Sequence, residues 1–187
     1  MNAITGAVRS LLFAAATAFL VAGFGAASPA YAQAGTSGYN TDEVIATGHK
    51  FFGTTSGSLA QVVEQAFKKF GLPNGYILGE EAAGAFFGGL RFGEGTLFTK
   101  NAGEHRIFWQ GPSLGFDVGG DGARTMMLVY DLPSVEAVYG RFGGVSGSAY
   151  LVGGLGMTVL TRDNIVLVPI KTGVGARLGV NLGYLKL

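Results

Sequence analysis

Histidine and cysteine offer little chemistry in this chain. The 187 residues include only two histidines, His49 and His105, and no cysteine. Histidine metal sites usually place their ligands a few residues apart, and these two are far apart in the sequence. The absence of cysteine excludes thiolate ligands, disulfides and thiol catalysis. We therefore expect no metal and no other cofactor.

Glycine-rich segments that resemble catalytic motifs fail at the defining positions. None of the 33 glycines begins a phosphate-binding G-x-x-x-x-G-K-[ST] loop, and the glycines at Gly173, Gly175 and Gly179 lack the dinucleotide-binding spacing. The segment from Gly144 to Ser148 lacks the last glycine of a nucleophile elbow. The sequence therefore predicts a protein that is not an enzyme.

Carboxylates are the remaining candidates for catalysis. Glu80 and Glu81 are adjacent, so in a strand they would point to opposite faces of the sheet. A glycan-cleaving enzyme needs two carboxylates paired in space, which the sequence does not determine for the others: Glu94, Asp117, Asp121 and Asp163. An enzyme that modifies the cell wall or lipid remains an alternative.

Aromatic and arginine side chains are the candidates for a binding surface. Trp109, Arg91 and Arg106 are of the types that most often anchor an interface, and we predict that they contribute to one. Core packing is the competing interpretation for Trp109 and the phenylalanines near it. The net charge of +1 provides no basic excess for nucleic acid, so no nucleic-acid partner is expected.

The N-terminus has the three regions of a secretory signal. Arg9 precedes the apolar run Leu11–Val21, and Ala30 and Ala32 form an A-x-A cleavage site. We predict a signal peptide over residues 1–32, cleavage after Ala32 and a periplasmic mature protein. A retained membrane anchor is the alternative, because the uncharged stretch is long enough to span a bilayer; the proline before the cleavage site argues against it.

Two helices are predicted at the start of the mature chain. Residues 33–40 are small and polar and predict a flexible lead-in, followed by a single domain over residues 41–187. Thr41 is the expected N-cap of a helix that extends to Phe52. A second helix, Ser58 to Phe70, has an S-x-x-Q capping box and an apolar stripe that must pack on another element.

The remaining sequence predicts β structure. Short runs of branched and aromatic residues are separated by glycine, with a helical turn after Pro133. Glycine pairs such as Gly143-Gly144 indicate bulges and tight coiling. We predict a mainly β fold: a small closed antiparallel β-barrel with one or two N-terminal helices packed outside and a short helical insertion. The expected strands are Tyr76–Glu80, Ala83–Arg91, Gly95–Thr99, Glu104–Trp109, Ser113–Val118, Arg124–Tyr130, Ser146–Thr161, Ile165–Thr172 and Val174–Leu187.

An integral outer-membrane barrel is a second alternative. The length of the mature chain and the C-terminal alternation of Val180, Leu182 and Tyr184 suit eight membrane-spanning strands. The helical residues before Gly75, however, leave little sequence for eight long strands with their loops.

From about Tyr39 onward the chain resembles the bacterial envelope-integrity family EipA. The resemblance rests on the segments Phe51–Lys100 (FFGTTSGSLAQVVEQAFKKFGLPNGYILGEEAAGAFFGGLRFGEGTLFTK), Trp109–Arg124 (WQGPSLGFDVGGDGAR) and Tyr139–Val159 (YGRFGGVSGSAYLVGGLGMTV). It implies a periplasmic small β-barrel with outer helices that supports envelope integrity, and it supplies no catalytic residues. A weaker similarity, over Phe86–Gly95 and Trp109–Ser113, is to SYLF lipid-binding domains.

These observations predict a non-enzymatic periplasmic protein. We expect it to support cell-envelope integrity by binding an envelope component related to lipid, lipopolysaccharide or peptidoglycan. No retained membrane span is expected.

Replacing Ala32 tests the predicted export. The signal peptidase accepts only small side chains at this position, so Ala32→Phe should leave the precursor unprocessed. The N-terminus and mass of the exported protein measure this directly. A mature protein of the variant that still begins at Gln33 would contradict the predicted cleavage site.

Overall fold

The structure is a computed structural model that describes residues 38–53, 57–84, 89–112, 123–145, 148–172 and 183–187. The predicted signal peptide lies outside the described residues. So do the expected strand Ser113–Val118 and most of the expected strand Val174–Leu187. In the part of the chain that is described, no helix has the length and apolar character needed to cross a membrane.

In the described ranges, two α-helices precede ten strands. Helix α1 is Thr41–Phe52 and helix α2 is Gly57–Phe70. A short 3₁₀ helix, Glu136–Val138, forms the predicted helical insertion before β5. The strands β1 to β10 are, in order, Gly75–Gly84, Leu90–Thr99, Gly103–Pro112, Ala123–Tyr130, Arg141–Gly144, Tyr150–Val152, Leu155–Met157, Leu160–Arg162, Ile165–Thr172 and Tyr184–Lys186.

Eight strands close into an antiparallel barrel. Their order is β4, β1, β2, β3, β10, β5, β8 and β9, and β9 pairs with β4 to complete the ring. The predicted closed barrel is therefore confirmed. Strands β6 and β7 form a hairpin, and β7 pairs with the second half of β9. In the described residues, β10 pairs with β3 at a single position, Lys186 with Gln110.

Several predicted strand boundaries are wrong. The expected strand Ala83–Arg91 does not exist as one element, because β1 continues to Gly84 and β2 begins at Leu90. The expected strand Ser146–Thr161 contains three short strands, β6, β7 and β8. Gly153 and Gly154 separate β6 from β7. Their φ angles are 54° and 82°, which residues with a side chain rarely adopt.

Strand alternation separates two apolar cores. The inner core fills the barrel, and its largest members include Phe142, Trp109 and Met127. The outer core lies between the two helices and the outside of the barrel. It contains Val62, Val63 and Ala66 of α2, with Phe67 and Phe70 packed against it. The expected outward position of the helices is confirmed.

The chain before α1 is part of this outer layer. Tyr39 is buried, its backbone N–H donates to the Pro73 carbonyl at 2.8 Å, and its ring packs edge-on against Tyr76. The N-cap of α1 is Asn40, whose side chain accepts a hydrogen bond from the Glu43 N–H at 2.8 Å. The prediction of a flexible lead-in through residue 40 and of Thr41 as the cap is therefore wrong for these residues.

Glycine lets β1 and β2 approach closely beneath a buried tryptophan. Gly79 and Gly95 are register partners, and a Cβ on either would lie within 2.8 Å of the other's Cα. At Gly93 a Cβ would lie 2.1 Å from the indole of Trp109. These positions require glycine because the space of a side chain is already occupied by backbone or by the indole ring.

Adding one methyl group at Gly93 tests this packing. Gly93→Ala should lower the free energy of unfolding by about 2 kcal/mol or more, because overpacking forces backbone or ring displacement. Urea unfolding measures the change. Gly143→Ala in β5 is the matched control, since a Cβ there would have no atom within 4 Å. Equal stability of the two variants would contradict the packing.

Candidate binding site

Five polar or aromatic side chains share the inner face of the barrel near one end. They are Glu81 in β1, Arg91 in β2, Trp109 in β3, Thr125 in β4 and Lys171 in β9. Antiparallel pairing places the end of β1, β3 and β9 beside the start of β2 and β4. We call these five residues the inner polar cluster.

Glu81 is the centre of the inner polar cluster. Its Oε1 accepts a hydrogen bond from Lys171 Nζ at 2.5 Å and lies 3.8 Å from the nearest guanidinium nitrogen of Arg91. Its Oε2 accepts from the indole Nε1 of Trp109 at 2.9 Å. The Glu81 side chain is only 3% exposed. Both carboxylate oxygens therefore have partners although water has little access to them.

Opposite charges keep Glu81 ionised. Burial by itself would raise the pKa of this carboxyl group, because it penalises the charged form. The attraction of Lys171 and Arg91, together with hydrogen bonds from Lys171 and Trp109, outweighs burial and holds the pKa below its usual value. The cluster therefore contains a carboxylate and two cations at neutral pH.

The inner polar cluster has more positive charge and more donors than Glu81 uses. Arg91 and Lys171 place two cations beside the single carboxylate of Glu81. Arg91 Nε and the Thr125 hydroxyl are buried, and neither has a hydrogen-bond partner among the described residues. Buried donors without acceptors are unfavourable, so this arrangement suits the addition of an anionic group.

The structure does not bring the three predicted binding residues together. Arg91 and Trp109 belong to the inner polar cluster, and Trp109 is buried. Arg106 lies on the outside of β3, where it pairs with Glu94 at 2.8 Å, and its side chain is 71% exposed. The three residues of the predicted binding surface, Trp109, Arg91 and Arg106, therefore lie at two separate locations.

Glu81 and Lys171 were not among the predicted binding residues. The alternation of side chains along β1 indicates that Glu81 faces the barrel interior. Ile77 faces the inner core, so Glu81, four residues later, faces it too. Lys171 follows buried Ile170 in β9 and pairs in register with Thr125. The sequence does not show that β1 and β9 flank the same strand, so the ion pair itself was not deducible.

The other candidate residues lie apart from the cluster. His49 is in α1, and His105 in β3 has a ring nitrogen 2.9 Å from the Ala102 carbonyl oxygen. Asp163 pairs with the neighbouring Arg162. Asp117 and Asp121 lie outside the described residues. Within the described ranges, no group of three or more histidine or carboxylate side chains could hold a metal ion.

A shallow groove outside the barrel contains the remaining predicted carboxylates. Glu80 and Glu94 are direct register partners on β1 and β2, and they line the groove with Arg106. Glu80 is exposed whereas Glu81 is buried, which confirms that these neighbours face opposite sides of the sheet. The groove is open and highly solvated, so its charges interact weakly.

The geometry defines a class of protein: a small closed β-barrel with two outer helices and a charged cluster inside one end. Residues 37–187 match the sequence model of the family described as EipA, Envelope integrity protein A. This chain belongs to that envelope integrity protein family.

A solved structure supports the fold assignment. The crystal structure of a β-barrel-like, uncharacterised protein from Brucella abortus is 65% identical in sequence and matches with a TM-score of 0.76. The match covers 80% of this chain and 93% of the Brucella chain. Comparison with curated proteins finds no match.

Neutralising Glu81 tests the electrostatics of the cluster. Glu81→Gln should lower the free energy of unfolding at pH 7 by about 3 kcal/mol, because it leaves two partly buried cations without their carboxylate. The exposed neighbour Glu80→Gln is the matched control and should change stability by less than ~0.5 kcal/mol.

The stabilisation that Glu81 provides should depend on pH. The folded pKa of Glu81 is lowered, so its stabilisation is fully present above the unfolded value of about 4.3 and is lost as pH falls through the folded pKa. Urea unfolding from pH 7 to pH 3 should therefore show the wild type approaching Glu81→Gln in acid. A constant difference across this range would contradict the assignment.

Proposed function

We propose that this protein is periplasmic and supports envelope integrity by binding an anionic group of an envelope component, without catalysing a reaction. The ligand is a lipid, lipopolysaccharide or peptidoglycan-related molecule, and the binding site is the inner polar cluster. Phosphate or carboxylate groups occur in all three classes, and either one complements Arg91 and Lys171.

The single observation that carries this proposal is the presence of two buried donors at the cluster, the Arg91 Nε–H and the Thr125 hydroxyl, that have no acceptor among the described residues. Glu81 uses Lys171, Trp109 and part of Arg91, while Arg91 Nε and the Thr125 hydroxyl are left without acceptors in the described structure. An anion bound beside Glu81 would accept hydrogen bonds from these donors.

The side-chain chemistry favours binding over turnover. General acid–base catalysis needs a group that can exchange a proton near the working pH. Glu81 is instead held in its ionised form by two cations, which suits a structural or binding role. The alternative, an enzyme acting on the cell wall or on lipid, would need a general acid other than Glu81.

The packing supports a barrel whose apolar residues face inward. Leucine, isoleucine, phenylalanine and methionine side chains fill the interior, and two amphipathic helices cover part of the outside. An outer-membrane barrel has the reverse arrangement, with an apolar outer band and a polar interior. This favours the periplasmic proposal over the integral outer-membrane alternative.

Complementation of a deletion strain tests the proposal. Cells that lack the protein should become sensitive to detergents or wall-targeting antibiotics, and the wild-type gene should restore resistance. Lys171→Gln should fail to restore it, because the variant removes one of the two cations that would attract the anion while Glu81 keeps Arg91 and Trp109 as partners. Lys68→Gln, at an exposed position on α2, is the matched control and should restore resistance.

Export level and thermal unfolding must be measured for each variant. Full resistance with folded, exported Lys171→Gln would show that the cluster is not the functional site. Three further variants test the enzymatic alternative: Glu80→Gln, His49→Gln and His105→Gln. Loss of a general acid or base costs about 10²–10⁴ in rate, so a catalytic residue among them would be revealed by failure to restore resistance. A folded variant among these three that behaves like the deletion would contradict a non-enzymatic function.

A further inference from the structure

The outside of the barrel presents exposed apolar side chains on the strands opposite the outer core. Phe108 in β3 is 57% exposed, and Phe92 and Leu90 in β2 are each 40% exposed. Phe92 pairs with Gln110 and Glu94 with Phe108, so the two phenylalanines are diagonal neighbours on one face. Apolar patches with a polar rim usually mark a surface that contacts a partner or a membrane.

Three cations border these aromatic side chains. The guanidinium of Arg106 lies 5.2 Å from the ring centre of Phe108, and that of Arg141 in β5 lies 4.3 Å from the ring centre of Tyr184 in β10. Lys186, also in β10, is exposed. We call this set the outer basic face: Leu90, Phe92, Phe108, Tyr184, Arg106, Arg141 and Lys186.

The charges on the outer basic face are not balanced within the described structure. Glu94 neutralises Arg106, whereas the ion pairs of the described residues include neither Arg141 nor Lys186. These two cations are direct register partners on β5 and β10. Like charges directly opposite on neighbouring strands are destabilising, and an extended negative surface would relieve both at once.

We infer that the outer basic face docks on the surface of a bilayer that contains anionic phospholipid. Arg141 and Lys186 contact headgroup phosphates, and Phe92, Phe108 and Leu90 enter the boundary between headgroups and acyl chains. A planar anionic surface fits cations spread over three adjacent strands better than a single small ligand does. This contact is additional to ligand binding in the inner polar cluster.

The arrangement also orients the barrel. Leu90 is adjacent in sequence to Arg91 of the inner polar cluster and pairs in register with Pro112 at the end of β3. The apolar part of the outer basic face therefore begins at the same end of the barrel as the cluster. Docking through this face places that end next to the lipid headgroups.

Vesicle flotation tests the inference. Protein expressed from the full chain and recovered after export should float with vesicles of equal phosphatidylglycerol and phosphatidylcholine, and much less with pure phosphatidylcholine. Binding should weaken from ~0.1 M to ~1 M salt, because the screening length falls from about 10 Å to about 3 Å.

Two pairs of substitutions separate the charge from the apolar contact. Arg141→Gln with Lys186→Gln should weaken binding roughly 30-fold, since each basic side chain at an anionic surface contributes about a fivefold factor. Phe92→Ser with Phe108→Ser should weaken binding by roughly tenfold or more through lost apolar burial. Lys68→Gln with Lys69→Gln, on exposed positions of α2, removes the same charge elsewhere and should leave binding unchanged.

Any of three flotation results would overturn the inference. They are no flotation with the anionic vesicles, equal flotation with both vesicle types, or equal losses for the α2 control and the Arg141 and Lys186 pair. Sedimentation of the wild type as a dimer that Phe108→Ser dissociates would also overturn it, because a second copy would then occupy the face. Each result leaves the proposed ligand site testable by complementation with Lys171→Gln.

Discussion

The neutralisation of a carboxylate inside the barrel constrains the arrangement of the surrounding strands. Glu81 is nearly excluded from water, and an isolated buried carboxylate would be very costly. Its partners come from both directions around the ring: Arg91 and Trp109 from β2 and β3, and Lys171 from β9 beyond β4. The contact between Glu81 and Lys171 spans 90 residues of sequence and needs β4 to lie between β1 and β9. Closure of the ring and ionisation of Glu81 are therefore coupled.

The indole of Trp109 links this charge cluster to the apolar core. Its ring occupies the space that side chains would need at Gly79 and Gly93, while its N–H reaches Glu81. A large aromatic ring with one polar atom suits such a boundary, because the ring can be buried while the N–H is satisfied. The glycine content that first indicated tight coiling thus also makes room for the residue that orients the carboxylate.

Local pattern was sufficient for the helices and the fold class but insufficient for the site. The apolar stripe of α2 depends on neighbours a few positions away, so the sequence reveals it directly, whereas the predicted cap Ser58 lies inside the helix, which begins at Gly57. Strand β5 was missed because only four residues, two of them glycine, form it. Arg106 and Trp109 are three residues apart, so alternation in one strand already places them on opposite faces. The partnership of Glu81 with Lys171 depends on the register between distant strands, which no local pattern contains.

The described residues pair unevenly from one strand junction of the barrel to the next. β2 and β3 pair at ten positions, whereas the described part of β10 meets β3 at one. Local opening free energies depend on the interactions that are broken, so within the described part of the chain the long junction between β2 and β3 is the one that costs more to open.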